Sequence, residues 1–187
     1  MSHLTTHRPL PPLSAHDVHY IQTHYLRLEE IAVERGCDSG PLLAAIRAGK
    51  LPLPSYCLPD GTPMFPADLL GLMQAAGGLE LLEAWFVARC PERAQIEWEG
   101  YLTGEYGVCL HRVTPENIFL KERLVAELDE QLLRPLPTDA QWRSAFTAKM
   151  NALDELIRPF TACDRIRFGG PPSRERLITE PRRLYGL

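Results

Sequence analysis

A chain of 187 residues, 45% hydrophobic, can bury one ordinary core or two small ones packed together. Its net charge of −4 excludes an overall basic field but hides an asymmetry: residues 1–157 hold 13 Lys and Arg against 21 Asp and Glu, whereas residues 158–187 hold 7, all arginine, against 3. No run of about 18 apolar residues predicts a membrane span, and five scattered cysteines without a Cys-x-x-Cys pair exclude a zinc ribbon or disulfide scaffold and point to reduced, cytoplasmic thiols.

Residues 1–14 are Pro-rich, lack the apolar core of a secretory signal, and read as a flexible tail. Ser14 can cap a first helix, "AHDVHYIQTHY". A second, "LRLEEIAVERG", ends at Gly36, where left-handed backbone costs least. Pro41 suits the first turn of a third helix, "PLLAAIRAG", stopped by Gly49. Asp60-Gly61 between short apolar runs predicts a tight hairpin, and the surrounding prolines limit it to short edge strands. Pro66 then opens a helix to about Ala76, and Gly77-Gly78 breaks it. "LELLEAWFVARC" follows with Leu79, Leu82, Trp85 and Phe86 at helical spacing, and Pro91 interrupts it. "ERAQIEWEGYL" makes a further short helix with Ile96 and Tyr101 inward, and "YGVCLHRVT" alternates like a short core strand. Thr114-Pro115-Glu116 starts a helix to about Leu133 that buries Ile118, Val125, Leu128 and Leu132. Thr138-Asp139 caps the last long helix, with Trp142, Phe146, Leu153 and Ile157 on one stripe. The remainder reads as loop with one short helix after Ser173. The fold class is mainly α: a helix-turn-helix lobe with a small β-hairpin (15–76), packed on a helical lobe (77–187) as one compact unit.

Residues 28–46 fit the spacing of a helix-turn-helix, with Ala32 at the helix crossing and Leu42 and Ile46 holding the second helix down. The chemistry argues against DNA. The recognition position reads Pro41, Leu42, Leu43, Ala44, Ala45, Ile46, without the Arg, Asn, Gln or Lys that reach base edges, and Glu29, Glu30 and Glu34 on its partner would meet phosphates.

Two stretches carry candidate chemistry. In "YLTGEYGVCLHRVT", an extended backbone puts Cys109 and His111 on one side about 7 Å apart, too far for a direct thiolate–imidazole pair. His111 can serve as a proton-transfer group near neutral pH, and Tyr101 and Tyr106 can orient a polar group or close the core. His16, His19 and His24 lack the i, i+4 spacing of a helical metal pair, so neither a metal nor any other cofactor is predicted. In "DRIRFGGPPSRERL", Gly169-Gly170 allows an anion-binding turn, Ser173 a helix cap beside it, and Arg165, Arg167, Arg174 and Arg176 two-pronged grips on a carboxylate or phosphate. The opposing expectation is that these arginines pair with acids such as Glu122, Glu127, Asp154 and Glu155. No Gly-Lys-Ser/Thr follows the glycines, so this is not a P-loop.

Taken together, "LPLPSY…DG…M", "YLTGEYGVCLHRVTPENI", "LDELIRPF" and "DRIRFGGPPSRERLI" resemble a bacterial family of unknown function whose members are labelled natural-product biosynthesis proteins. The resemblance runs over about 15–187 and implies a cytoplasmic protein of secondary metabolism, without assigning a reaction. The first expectation is therefore an anionic small molecule held by Arg165, Arg167, Gly169, Gly170, Ser173, Arg174, Arg176 and Tyr101. His111, Tyr106 and Cys109 stand nearest any acid–base chemistry, without a cofactor. The alternatives are an adaptor docking a biosynthetic partner protein through the 41–46 helix, and a DNA-binding regulator.

Overall fold

A computed structural model describes residues 4–90 and 92–187; the first three residues of the expected tail and the helix break expected at Pro91 lie outside them. The architecture is mainly α with one small antiparallel sheet, and no helix among the described residues is long and apolar enough to cross a membrane.

Helix α1 (Ala15–His24) starts as its sequence dictates: the Ser14 hydroxyl accepts from the Asp17 amide while the Asp17 carboxylate reaches back to the Ser14 amide. Strand β1 (Tyr25–Leu26) follows, then α2 (Leu28–Glu34) and α3 (Ser39–Arg47), joined through Gly36 at φ 64°. Asp38 caps α3, which begins two residues before Pro41 and leaves that proline in the first turn, as expected. Leu28, Ile31 and Ala32 of α2 pack with Leu42, Ala45 and Ile46 of α3. Strands β2 (Tyr56–Cys57) and β3 (Pro63–Pro66) form the hairpin expected around Asp60-Gly61, and β1 adds to its other edge in the order β1-β3-β2. That third strand was not legible, because two residues carry no alternation.

Pro66 ends β3 instead of opening a helix. A turn from the Pro66 carbonyl leads to α4 (Gly71–Ala76), which closes at Gly77 in left-handed conformation. Helices α5 (Leu79–Val87) and α6 (Ala94–Leu102) come next. In α6 the inward face is Glu97, Trp98 and Tyr101, while Ile96, expected inside, is 59% exposed. Trp98 and Tyr101 instead complete an aromatic cluster with Phe86.

The expected core strand at 106–113 is a helical turn, α7 (Tyr106–Cys109), followed by a single antiparallel bridge between Leu110 and Ile157. Two glycines force this geometry. Gly104 has φ +74°, and a Cβ there would lie 2.0 Å from the Leu53 carbonyl oxygen; a Cβ on Gly107 would lie 2.4 Å from Ser55 Oγ and 2.5 Å from Pro66 Cγ. The chain thus lies flush on the "LPLPS" segment, with Leu53 N–H donating to Leu102 O at 2.9 Å and Ser55 Oγ to Gly104 O at 2.8 Å.

Helix α8 (Pro115–Leu133) has the expected Thr114 cap and buries Ile118, Leu124 and Leu128, leaving Val125 and Leu132 at its edge. It packs on α9 (Ala140–Leu156), capped by Asp139, whose Phe146, Met150 and Leu153 are fully buried. The C-terminal segment is more helical than expected: α10 (Ala162–Phe168), a π-helical stretch Glu175–Thr179 and α11 (Glu180–Tyr185) leave only the Gly-Gly-Pro-Pro link irregular. The α10 start is a Thr161–Asp164 capping box, a signal overlooked in "TACD".

Gly104→Ala is expected to cost roughly 3 kcal/mol or more, because it adds a backbone collision to an unfavourable φ. Thermal denaturation should show a large loss of Tm or no cooperative transition; a wild-type Tm would contradict this packing.

Candidate functional site

The structure separates the predicted residues into four groups. Tyr101 belongs to the core: it is 3% exposed, its hydroxyl has no hydrogen-bond partner among the described residues, and with Tyr106 and Asp68 it lines a small cavity of about 20 Å³. The Tyr106 hydroxyl donates to Glu97 Oε2 at 2.5 Å, while its carbonyl accepts from Cys109 Sγ at 3.6 Å. Burial, and then the Glu97 carboxylate, drive the Tyr106 phenol well above its ordinary pKa.

The four arginines do not converge. Arg165 pairs with Glu175 and Arg176 with Asp129, both at the surface. Arg174 pairs with Asp154, one of the acids anticipated for it, and donates to Ile157 O at 3.2 Å. Arg167 is 8% exposed and donates to Ser55 O at 2.7 Å, while its Nε and Nη2 find no partner. The glycines serve as an exit from α10. Gly169 and Gly170 both have positive φ, but the Gly169 amide is taken by Arg165 O, so the pair forms no open nest. Ser173 lies inside the first turn, where Arg176 N–H bonds to Pro172 O, and its hydroxyl makes no cap.

One group does assemble. Cys109, Ser173 and Arg174 line a common cleft with Lys121, Arg158 and Phe160, of about 30 Å³. The Leu110–Ile157 bridge builds it. Arg158 N–H donates to Cys109 O at 2.9 Å and Arg158 Nε to Leu110 O at 3.0 Å, so one residue grips two successive carbonyls starting at the thiol-bearing residue. Its guanidinium also lies 5.3 Å from the centre of the Tyr25 ring. Lys121 Nζ donates to Cys109 Sγ at 3.3 Å. Neither Lys121 nor Arg158 forms a salt bridge among the described residues, so the cleft carries two unmatched cations beside the paired Arg174. His111 sits beside this field. Desolvation first, then the charges of Arg158 and Arg174, push its imidazole below the ordinary pKa.

Lys121 and Arg158 were missed as site residues, although a signal existed for each. Lys121 occupies an inward position between Ile118 and Val125 on α8, where an apolar side chain belongs. Arg158 is the charged residue of "LIRPF". A larger cavity, about 400 Å³, opens beside Cys90, Glu97 and Phe119. Most of its charges are paired, with Arg93 bridging Glu97 and Glu122, Arg123 facing Glu127 and Arg89 facing Glu116, and none of the predicted site residues lines it.

A family profile described as a family of unknown function (DUF6058) matches residues 71–186, and the chain belongs to that family. No curated protein and no solved structure matches the chain.

Because the folded pKa of His111 is depressed, its unfolded form binds a proton that the folded form refuses. Stability is therefore lost as pH falls from about 6.5 through the lower folded value. His111→Gln should lose less Tm than wild type between neutral pH and pH 5; parallel profiles would show that His111 does not feel this field.

Proposed function

We propose that this member of the family binds a small molecule through a carboxylate or phosphate group, seated between Lys121, Arg158, Arg174 and Ser173. The carrying observation is the pair of unmatched cations, Lys121 and Arg158, converging with Arg174 on one cleft. Two guanidinium groups and an ammonium on a partly desolvated surface favour an anion through charge-assisted hydrogen bonds. A volume near 30 Å³ suits only the anionic head, and the body of the molecule would lie outward over Phe160 and Pro172.

The likeness of the motifs to bacterial proteins labelled for natural-product biosynthesis supports a biosynthetic intermediate, handled in the cytoplasm, as this molecule. If the protein is catalytic, Cys109, which lines the cleft, is the first candidate and His111, which feels the charges of Arg158 and Arg174, the second; the Tyr106 hydroxyl is taken by Glu97. The adaptor alternative keeps little surface, since Leu42, Ala45 and Ile46 of α3 are spent on the protein's own core. A DNA role has the same shortage of base-reading side chains on α3 that the sequence predicts.

At low ionic strength, inorganic phosphate, pyrophosphate and a panel of mono- and dicarboxylates are expected to raise Tm by mass action. Lys121→Ala, which removes a charge without breaking a backbone contact, should weaken the best of these by about tenfold or more. A flat panel, or an equal shift in wild type and Lys121→Ala, overturns the reading.

A further inference from the structure

Cys109 stands apart from the other thiols in its surroundings. Cys90 and Cys163 are buried, and Cys57 and Cys109 each donate to a main-chain carbonyl at 3.6 Å, Leu4 O and Tyr106 O. Cys37 is exposed on the turn after α2. Cys109 is half-buried, lines the cationic cleft, and has a lysine amine 3.3 Å from its sulfur. That amine ends a flexible four-carbon stem, so the two atoms can close to bonding distance without moving backbone.

We propose that Cys109 and Lys121 form a peroxide-dependent covalent modification site. In the first step the sulfur attacks hydrogen peroxide. An S–O bond forms, the O–O bond breaks, and Cys109 becomes a sulfenic acid while the peroxide is reduced to water, with two electrons leaving the sulfur. The thiol proton passes to the departing hydroxide to give that water, and the positive charge of Arg158 and Arg174, which line the same cleft, favours the step. In the second step Lys121, having released its ammonium proton to solvent, attacks the sulfenic sulfur. An S–N bond forms and the S–O bond breaks, the sulfenic hydroxyl leaves with one of the two amine hydrogens as water, the other stays on nitrogen, and no further electrons are exchanged. The product joins α7 to α8 and neutralises Lys121. Insofar as the anion reading holds, it also removes one of the two cleft cations that have no salt bridge among the described residues, making anion binding redox-sensitive. A thiol reductant reverses it by attack on the sulfur, returning Cys109 and the amine.

The test is peptide-mapped mass spectrometry of the intact protein after stoichiometric hydrogen peroxide, with no anion added. The expected product is about 2 Da lighter than the reduced protein, joins the Cys109 and Lys121 peptides, and disappears on reduction. Lys121→Arg should fold and instead carry about 16 or 32 Da at Cys109. Oxygen adducts on Cys109 in wild type and variant alike overturn the proposal, as does a lighter product whose peptides join Cys109 to another cysteine. The cross-link is scored without any ligand, so it can fail while anion binding stands, and the reverse.

Discussion

A fully buried carboxylate organises this molecule. Asp164 has no exposed surface, and its two oxygens accept from the Tyr56 hydroxyl at 2.9 and 3.0 Å and from the Thr161 amide at 2.9 Å. One turn further along α10, Arg167 donates to the carbonyl of Ser55, the neighbour of Tyr56. Two successive residues of the N-terminal half are thereby held by two residues of a C-terminal helix. Desolvation still raises the Asp164 pKa despite these bonds, so the burial of charge is only partly offset. Removing the Tyr56 hydroxyl would leave the Asp164 carboxylate short of a donor in the core, which is the costly way to break such a contact.

The cleft depends on that clamp. With α10 fixed against β2, the irregular link after Gly169 has one short route back across the surface, and it delivers Pro172, Ser173 and Arg174 next to Cys109. The other wall is set from within the chain: Gly104 and Gly107 press on Leu53, Ser55 and Pro66, α7 follows, and the Leu110–Ile157 bridge locks it to the end of α9. Residues from four stretches meet here because the same motifs that shape the core also shape the cleft. Ser55, Gly104, Asp164 and Arg167 serve the framework, while Cys109, Lys121, Arg158 and Arg174 serve the surface it creates.

Helices with strong local signals were legible in the sequence. The Ser14, Thr114 and Asp139 caps and the Gly36 and Gly77 stops stand where side-chain chemistry alone puts them. The errors arise where a distant partner decides. "YGVCLHRVT" alternates, yet glycine packing against a segment 50 residues away bends it into a helical turn. The arginine-rich tail looked like one binding loop because its residues are adjacent in sequence. In space Arg165 and Arg176 find surface acids, Arg167 goes into the core, and only Arg174 reaches the cleft. The two cations that complete the cleft come from α8 and the end of α9, 37 residues apart, where no local pattern could join them.

The walls of the cleft differ in how much they can give. On the Cys109 side the main chain is wedged against carbonyl and proline atoms with no slack for even a methyl group, and Arg158 staples it at two carbonyls. The opposite side hangs from paired glycines in open space, where an added Cβ would touch nothing. That wall can adjust only at the glycine link itself, because just beyond it Arg174 is moored to Asp154 and Ile157 O and Leu177 and Ile178 are sunk in the core.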